Sequence, residues 1–172
     1  MDKSDHVPLS LVGFEHAYPL ITLSEKMNGQ AYNLFFLIEN KCNDALIHLV
    51  QKYTTSPFIW NRTKECQDLS SKHNTLLVNI FPDFNGSLVH IITNEMNLVI
   101  EIIETKLTPP NPEISFPDLI PTEYGSLQGD VDFWFTWLWQ PYWKQLSKTD
   151  QIKLKLSREW QEFCCERDEL CT

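Results

Sequence analysis

Apolar positions along this chain change period near its middle, and the change divides it into elements. From Ala31 to Tyr53 the positions Leu34, Phe35, Ile38, Cys42, Ala45, Leu46, Leu49, Val50 and Tyr53 recur at three and four, the spacing of one buried helical stripe. The same stretch admits a second reading, a strand over Leu34–Ile38 followed by a helix starting at Asn43 or Asp44, either of which can accept the first orphan N–H groups as a cap. Further on, Thr75 to Phe81, Ser87 to Thr93 and Leu98 to Glu104 are runs rich in Val, Ile and Leu. The turn residues Pro82 to Gly86 and Asn94 to Asn97 separate them, which predicts a three-stranded antiparallel meander. Leu76, Val78 and Ile80 then face a core with Asn79 outward, and Leu98, Ile100 and Ile102 lie opposite Glu101. Before residue 31 only short apolar runs occur, Leu9 to Phe14 and Tyr18 to Leu23, closed by the turn dipeptide Asn28-Gly29.

The C-terminal half reads differently. Prolines at 109, 110, 112, 117 and 121 exclude regular helix or central strand between Lys106 and Asp132, so this segment runs as a loop. Its interleaved Ile114, Phe116, Leu119, Ile120 and Tyr124 mark it as pinned to the body, since a free tether lacks large apolar groups. Phe133 to Trp143 follows with seven aromatic rings in eleven residues. Asp130 can cap a helix from Val131 that restarts at Pro141, and burial of so many rings on both faces suits a helix. Alternation at Val131, Phe133, Phe135, Trp137 and Trp139 equally allows a fourth strand. Ser147 with Asp150 is a capping-box signature, and Ile152, Leu156, Trp160 and Phe163 extend a helix from Lys148 to about Arg167. The expected fold is α+β: a meander of three or four antiparallel strands packed against one helix from the N-terminal half and further C-terminal helices. It forms one globular domain, 1–172, with an acidic proline-rich loop at about 106–130.

Composition narrows the class. A chain of 172 residues, 42% hydrophobic, can bury one sizeable core, and five glycines and five cysteines fit neither a fibrous nor a disulfide-framework protein. Fourteen Lys and Arg against 23 Asp and Glu leave a net charge of −9, which repels a phosphate backbone, so nucleic acid is not the expected partner. No stretch is long and apolar enough for a signal peptide or a membrane span, and an odd count of cysteines without a regular framework suits a reducing cytoplasm.

Candidate chemistry is sparse. Cys42 with His48, or Cys66 with His73, could pair a nucleophile with its base, although Cys42 lies on the apolar stripe, where a small buried hydrophobe is the plainer role. Cys164, Cys165 and Cys171 lack metal-ligand spacing, and His90, between Val89 and Ile91, reads as a cross-strand histidine. The carboxylate pairs Glu101/Glu104 and Asp130/Asp132 could work as acid and base, but three apart in a strand is opposite faces, and the second pair suits a helix cap. With no phosphate-cradling glycine loop, nucleophile elbow or kinase signature, a non-enzymatic protein without metal or cofactor is expected.

What remains distinctive is acidity. Between Lys106 and Lys144 the charged residues are Glu113, Asp118, Glu123, Asp130 and Asp132, all negative. Carboxylates concentrated on a pinned loop accelerate association with a cationic partner, while nearby aromatics, Tyr124 among them, supply contact area. Glu159, Glu162, Glu166, Asp168 and Glu169 could extend the patch, diluted by Lys153, Lys155, Arg158 and Arg167. This build, together with Trp137-Leu138-Trp139-Gln140-Pro141-Tyr142-Trp143, resembles the immunity proteins of bacterial contact-dependent inhibition and related polymorphic toxin systems. The resemblance covers the general build and that segment. It implies a cognate toxin domain, often a basic nuclease, whose active site is blocked by acidic side chains, and no membrane or nucleic-acid partner. Two other classes are open: an adaptor binding a partner helix or peptide through an aromatic surface, and a Cys/His or carboxylate hydrolase.

Overall fold

The computed structural model describes residues 9–60, 65–123 and 128–169. Strands β1 (Leu20–Leu23), β2 (Tyr32–Ile38), β3 (Gln67–Asp68), β4 (Leu76–Asp83) and β5 (Gly86–Thr93) form one sheet in the order β1-β2-β5-β4-β3. Every neighbouring pair is antiparallel, and helices pack around the sheet, so the fold is α+β.

The 31–53 stretch takes the second of its two readings: β2, then helix α1 (Asn43–Lys52), with Asn40–Cys42 as a 3-10 turn between them. Leu46, Leu49 and Val50 keep the helical stripe on the buried side of α1. The expected third strand of the meander is instead helix α2 (Met96–Glu104). The Glu95 carboxylate accepts a hydrogen bond from the Asn97 amide at the helix start, and Lys106 at φ 53 lies just beyond its end. Burial at Leu98, Val99 and Ile102, with Ile100 exposed, is helical and not alternating. The place beside β5 that Leu98–Glu104 would have filled belongs to β2, paired in full from Tyr32↔Thr93 to Ile38↔Ser87.

The β4–β5 hairpin turns through Phe84 (φ 47) and Asn85 (φ 56), the two successive left-handed residues that match the twist of its strands. Gly86 follows because nothing larger fits: a Cβ there would lie 2.6 Å from the Ile38 carbonyl oxygen and 2.8 Å from a Pro110 ring carbon. On one sheet face Leu34, Phe36, Val78, Ile80, Val89 and Ile91 are all buried. The other face carries the half-buried row Phe35, His90 and Asn79.

The proline-rich segment is held to the body by Phe116 and Leu119, which pack against the core, whereas Ile114 and Ile120 are exposed. Glu39 donates its amide to the Thr108 carbonyl at 2.8 Å, and the Asn111 side-chain amide donates to the Leu154 carbonyl at 3.2 Å. Contrary to the expected loop, its described residues form a short helix, α3 (Pro112–Ser115), and a 3-10 turn over Pro121–Glu123, because a proline at the first helical position loses no hydrogen bond. The aromatic segment is helical: α4 (Gly129–Trp134), a π-helical turn over Phe135–Trp139, and α5 (Gln140–Gln145). No fourth strand forms there. The expected helix 148–167 is two, α6 (Lys148–Lys153) and α7 (Arg158–Glu169), because Lys155 turns left-handed at φ 54 between them. Ile152 accordingly leaves the stripe and is exposed, while Trp160 and Phe163 stay buried. The Ser147 hydroxyl accepts from the Asp150 amide, as the capping signature requires. Among the described residues no helix is long and apolar enough to cross a membrane.

Candidate partner-binding surface

The aromatic segment divides between core and surface. Trp134, Trp139 and Trp143 are fully buried and stack in sequence, with centroids 5.6 and 6.4 Å apart at interplanar angles of 16° and 28°. Their two neighbours in the chain point outward: Phe133 is 39% and Trp137 49% exposed. These two rings are four positions apart, and the π turn begins between them at Phe135. A π turn inserts an extra residue into the helical ladder and so re-aims the side chains around it. Phe133 is supported from below by Phe35 of β2 and Phe84 of the hairpin, with centroids at 5.8 and 6.3 Å, and Phe84 in turn meets Phe116 at 5.6 Å. The exposed ring therefore stands on a fixed platform. Beside Trp137 runs a shallow groove of about 220 Å³, walled by Glu15, His16 and Ala17 on one side and Thr136, Gln140 and Lys144 on the other.

The predicted carboxylates separate. Asp130 and Asp132 lie in the first turn of α4, a favourable place at the positive end of a helix, and both are exposed. Asp132 accepts a hydrogen bond from the Thr136 hydroxyl at 3.3 Å, one turn on. Asp118 and Glu123 are exposed on the preceding segment. The ion pairs among the described residues, Lys41–Glu39, Lys52–Glu101, Lys153–Asp150 and Arg158–Glu162, involve none of these four. Glu113 is different and is withdrawn from the binding set: it is half-buried, and its Oε1 accepts from the Ser157 amide at 2.6 Å, satisfying a backbone donor at the entry to α7. Tyr124 lies outside the described residues. Phe133 and Trp137 were absent from the sequence-derived set, because composition marks the cluster without saying which rings face out.

The other candidate groups do structural work. Glu101 is not on a strand with Glu104; its two oxygens accept from Lys52 Nζ and Tyr53 Oη, both at 2.7 Å, tying α2 to the end of α1. The Lys52 and Tyr53 hydrogen bonds hold the Glu101 carboxyl below the usual range. His90 meets Asn33 Oδ1 at 2.6 Å through Nε2, and Asn33 donates its amide N–H to Thr22 Oγ1 at 3.0 Å. That orientation makes the Asn33 oxygen the acceptor, so Nε2 carries the proton. Burial, then the charge of Lys26, lowers the His90 pKa, which leaves it a neutral cross-strand histidine. Cys164 is buried and accepts from the Trp139 indole N–H at 3.2 Å, and burial pushes its thiol up to about 12, far from a thiolate nucleophile. Neither Cys42–His48 nor Cys66–His73 forms a hydrogen bond among the described residues, and no group of three or more His, Cys, Asp or Glu there could hold a metal ion.

The site thus consists of two exposed rings, Phe133 on an aromatic platform and Trp137 beside the groove, preceded in the chain by exposed carboxylates that form no ion pair among the described residues. No family model, curated protein or solved structure matches the chain.

Proposed function

We propose that this chain is a non-enzymatic binding protein of the bacterial cytoplasm that neutralises a cognate toxin domain by covering its cationic active site. The observation that carries this reading is the set Asp118, Glu123, Asp130 and Asp132, exposed and without ion-pair partners among the described residues, in the stretch of chain that leads into the outward rings of Phe133 and Trp137. Each half supplies a separate need of a tight inhibitor. The carboxylates steer a basic partner in and occupy the places where substrate phosphates would lie, while a rigid tryptophan and phenylalanine bury apolar area at small entropic cost. With a chain charge of −9 the whole field adds to the local one.

The partner to test is the C-terminal domain of a large secreted protein encoded immediately upstream. Its affinity for this chain is measured at low and high salt, for the natural sequence and for the variant Asp118→Asn, Glu123→Gln, Asp130→Asn, Asp132→Asn. Association of the natural chain should slow steeply with salt, and the variant should associate about tenfold more slowly at low salt with little further salt dependence. Unchanged association of the variant removes this surface from the account. The exposed rings also favour an adaptor reading, in which affinity is insensitive to salt and to the four substitutions but is lost with Trp137.

A further inference from the structure

On another part of the molecule, α2, α5 and α6 leave a cavity of about 570 Å³, within the range of sites that enclose a small organic molecule. Its apolar lining comes from Ile103, Leu107, Leu146 and Leu154, with the Tyr18 ring. Tyr18 is fully committed to the fold, since its hydroxyl donates to the Leu37 carbonyl and accepts from the Leu37 amide at 3.2 Å. Tyr142 is not. It lines the same cavity, is only 6% exposed, and its hydroxyl has no hydrogen-bond partner among the described residues. A phenolic donor that no protein group occupies among the described residues is free for a ligand acceptor in the cavity.

The charges around the cavity favour one sign. Lys106 and Lys153 both line it, and Lys106 has no ion pair among the described residues. Two carboxylates lie close enough to act on Tyr142, Glu39 and Asp150. Each is already compensated: Asp150 by Lys153 at 2.8 Å and the Ser147 hydroxyl at 2.7 Å, Glu39 by Lys41 at 2.8 Å and the Thr108 hydroxyl at 3.0 Å. The Lys106 ammonium, which acts on Asp150 without forming an ion pair with it, and the Tyr142 phenol therefore stand above an aliphatic floor. We propose that this cavity binds a small amphipathic carboxylate, its aliphatic chain on the leucines and its headgroup between Tyr142 and Lys106.

Decanoate, below its micellar concentration, is the probe, titrated into the full chain by calorimetry and by two-dimensional NMR. The expected result is saturable one-to-one binding with shifts centred on Tyr142, Leu146 and Lys106. Decanol, lacking the charge, should bind at least about tenfold more weakly. Tyr142→Phe, which keeps the ring packing and removes the hydroxyl alone, should weaken decanoate about tenfold, and the charge reversal Lys106→Glu by a similar factor. Absence of saturable binding, equal affinity for decanol, or full affinity in the Lys106→Glu variant each overturns the proposal. Lys106 is exposed, so that variant keeps the test decisive even if Tyr142→Phe perturbs folding.

Discussion

Trp137 and Trp139 stand two positions apart and do opposite things. Trp139 is sealed between Trp134, Trp143 and Tyr142 with its indole N–H on Cys164, whereas half of Trp137 faces solvent. Replacing each by alanine should separate stability from binding. Trp139→Ala is expected to cost about 3–5 kcal/mol in urea unfolding, as for other buried aromatic truncations. Trp137→Ala should shift stability by no more than about 0.5 kcal/mol yet weaken the proposed partner by about thirtyfold, the behaviour of an interface anchor. A large loss of stability from Trp137→Ala would make that ring part of the core. Gly86 supplies a second residue-scale expectation. Its missing Cβ makes room for the Ile38 carbonyl and the Pro110 ring, so Gly86→Ala must push β2 or the proline segment aside. We expect a loss of about 2–3 kcal/mol, read as a lower denaturation midpoint at unchanged slope.

At the scale of elements, the tie between α1 and α2 makes stability depend on pH in two places. Because Lys52 and Tyr53 hold the Glu101 carboxyl below its ordinary value of 4.5, the tie is fully present above that pH and fades as pH falls through the lowered value. Burial, and then Glu101 itself, push the Tyr53 phenol from 10.0 up to about 12, so its contribution is present below pH 10 and disappears as pH rises from there toward 12. Urea midpoints across pH should show a shallower acid arm in Glu101→Gln and a shallower alkaline arm in Tyr53→Phe. Profiles parallel to the natural chain would detach both groups from stability. The same pair of helices shows how far elements can be read in advance. The β4–β5 hairpin was legible, because alternation and turn chemistry agree there. Leu98 to Glu104 was not, because a run of Val, Leu and Ile carries almost no period, and the Glu95 cap that decides for helix is a single side-chain hydrogen bond. Residues 34–38 fit the helical stripe first and a strand second, and pairing with β1 and β5 on both sides overturned that order.

Over the whole molecule the acidic surface was half legible. A stretch without a single lysine or arginine between Lys106 and Lys144 is visible in the chain itself, and so is its negative sign. That Glu113 turns inward to Ser157 while Asp118, Glu123, Asp130 and Asp132 stay outside depends on where α7 begins, forty-four residues away. The cavity of Tyr142 and Lys106 was invisible for the same reason, since its walls come from α2, α5 and α6, the residues just after α2, and Tyr18 ahead of β1. What the sequence determined alone is what rests on local spacing and on sums: an α+β composition, the β4–β5 hairpin, the Ser147 cap of α6, and net negative charge. The Asp130 cap and a proline segment without helix did not follow, since α4 starts at Gly129 and Pro112 opens the short α3. The tertiary structure decided which strand completes the sheet, which rings of the cluster face water, and which carboxylates remain unpaired. Those outcomes are set by contacts between residues far apart in the chain, where burial and hydrogen-bond partners outweigh the small differences in local preference that a sequence displays.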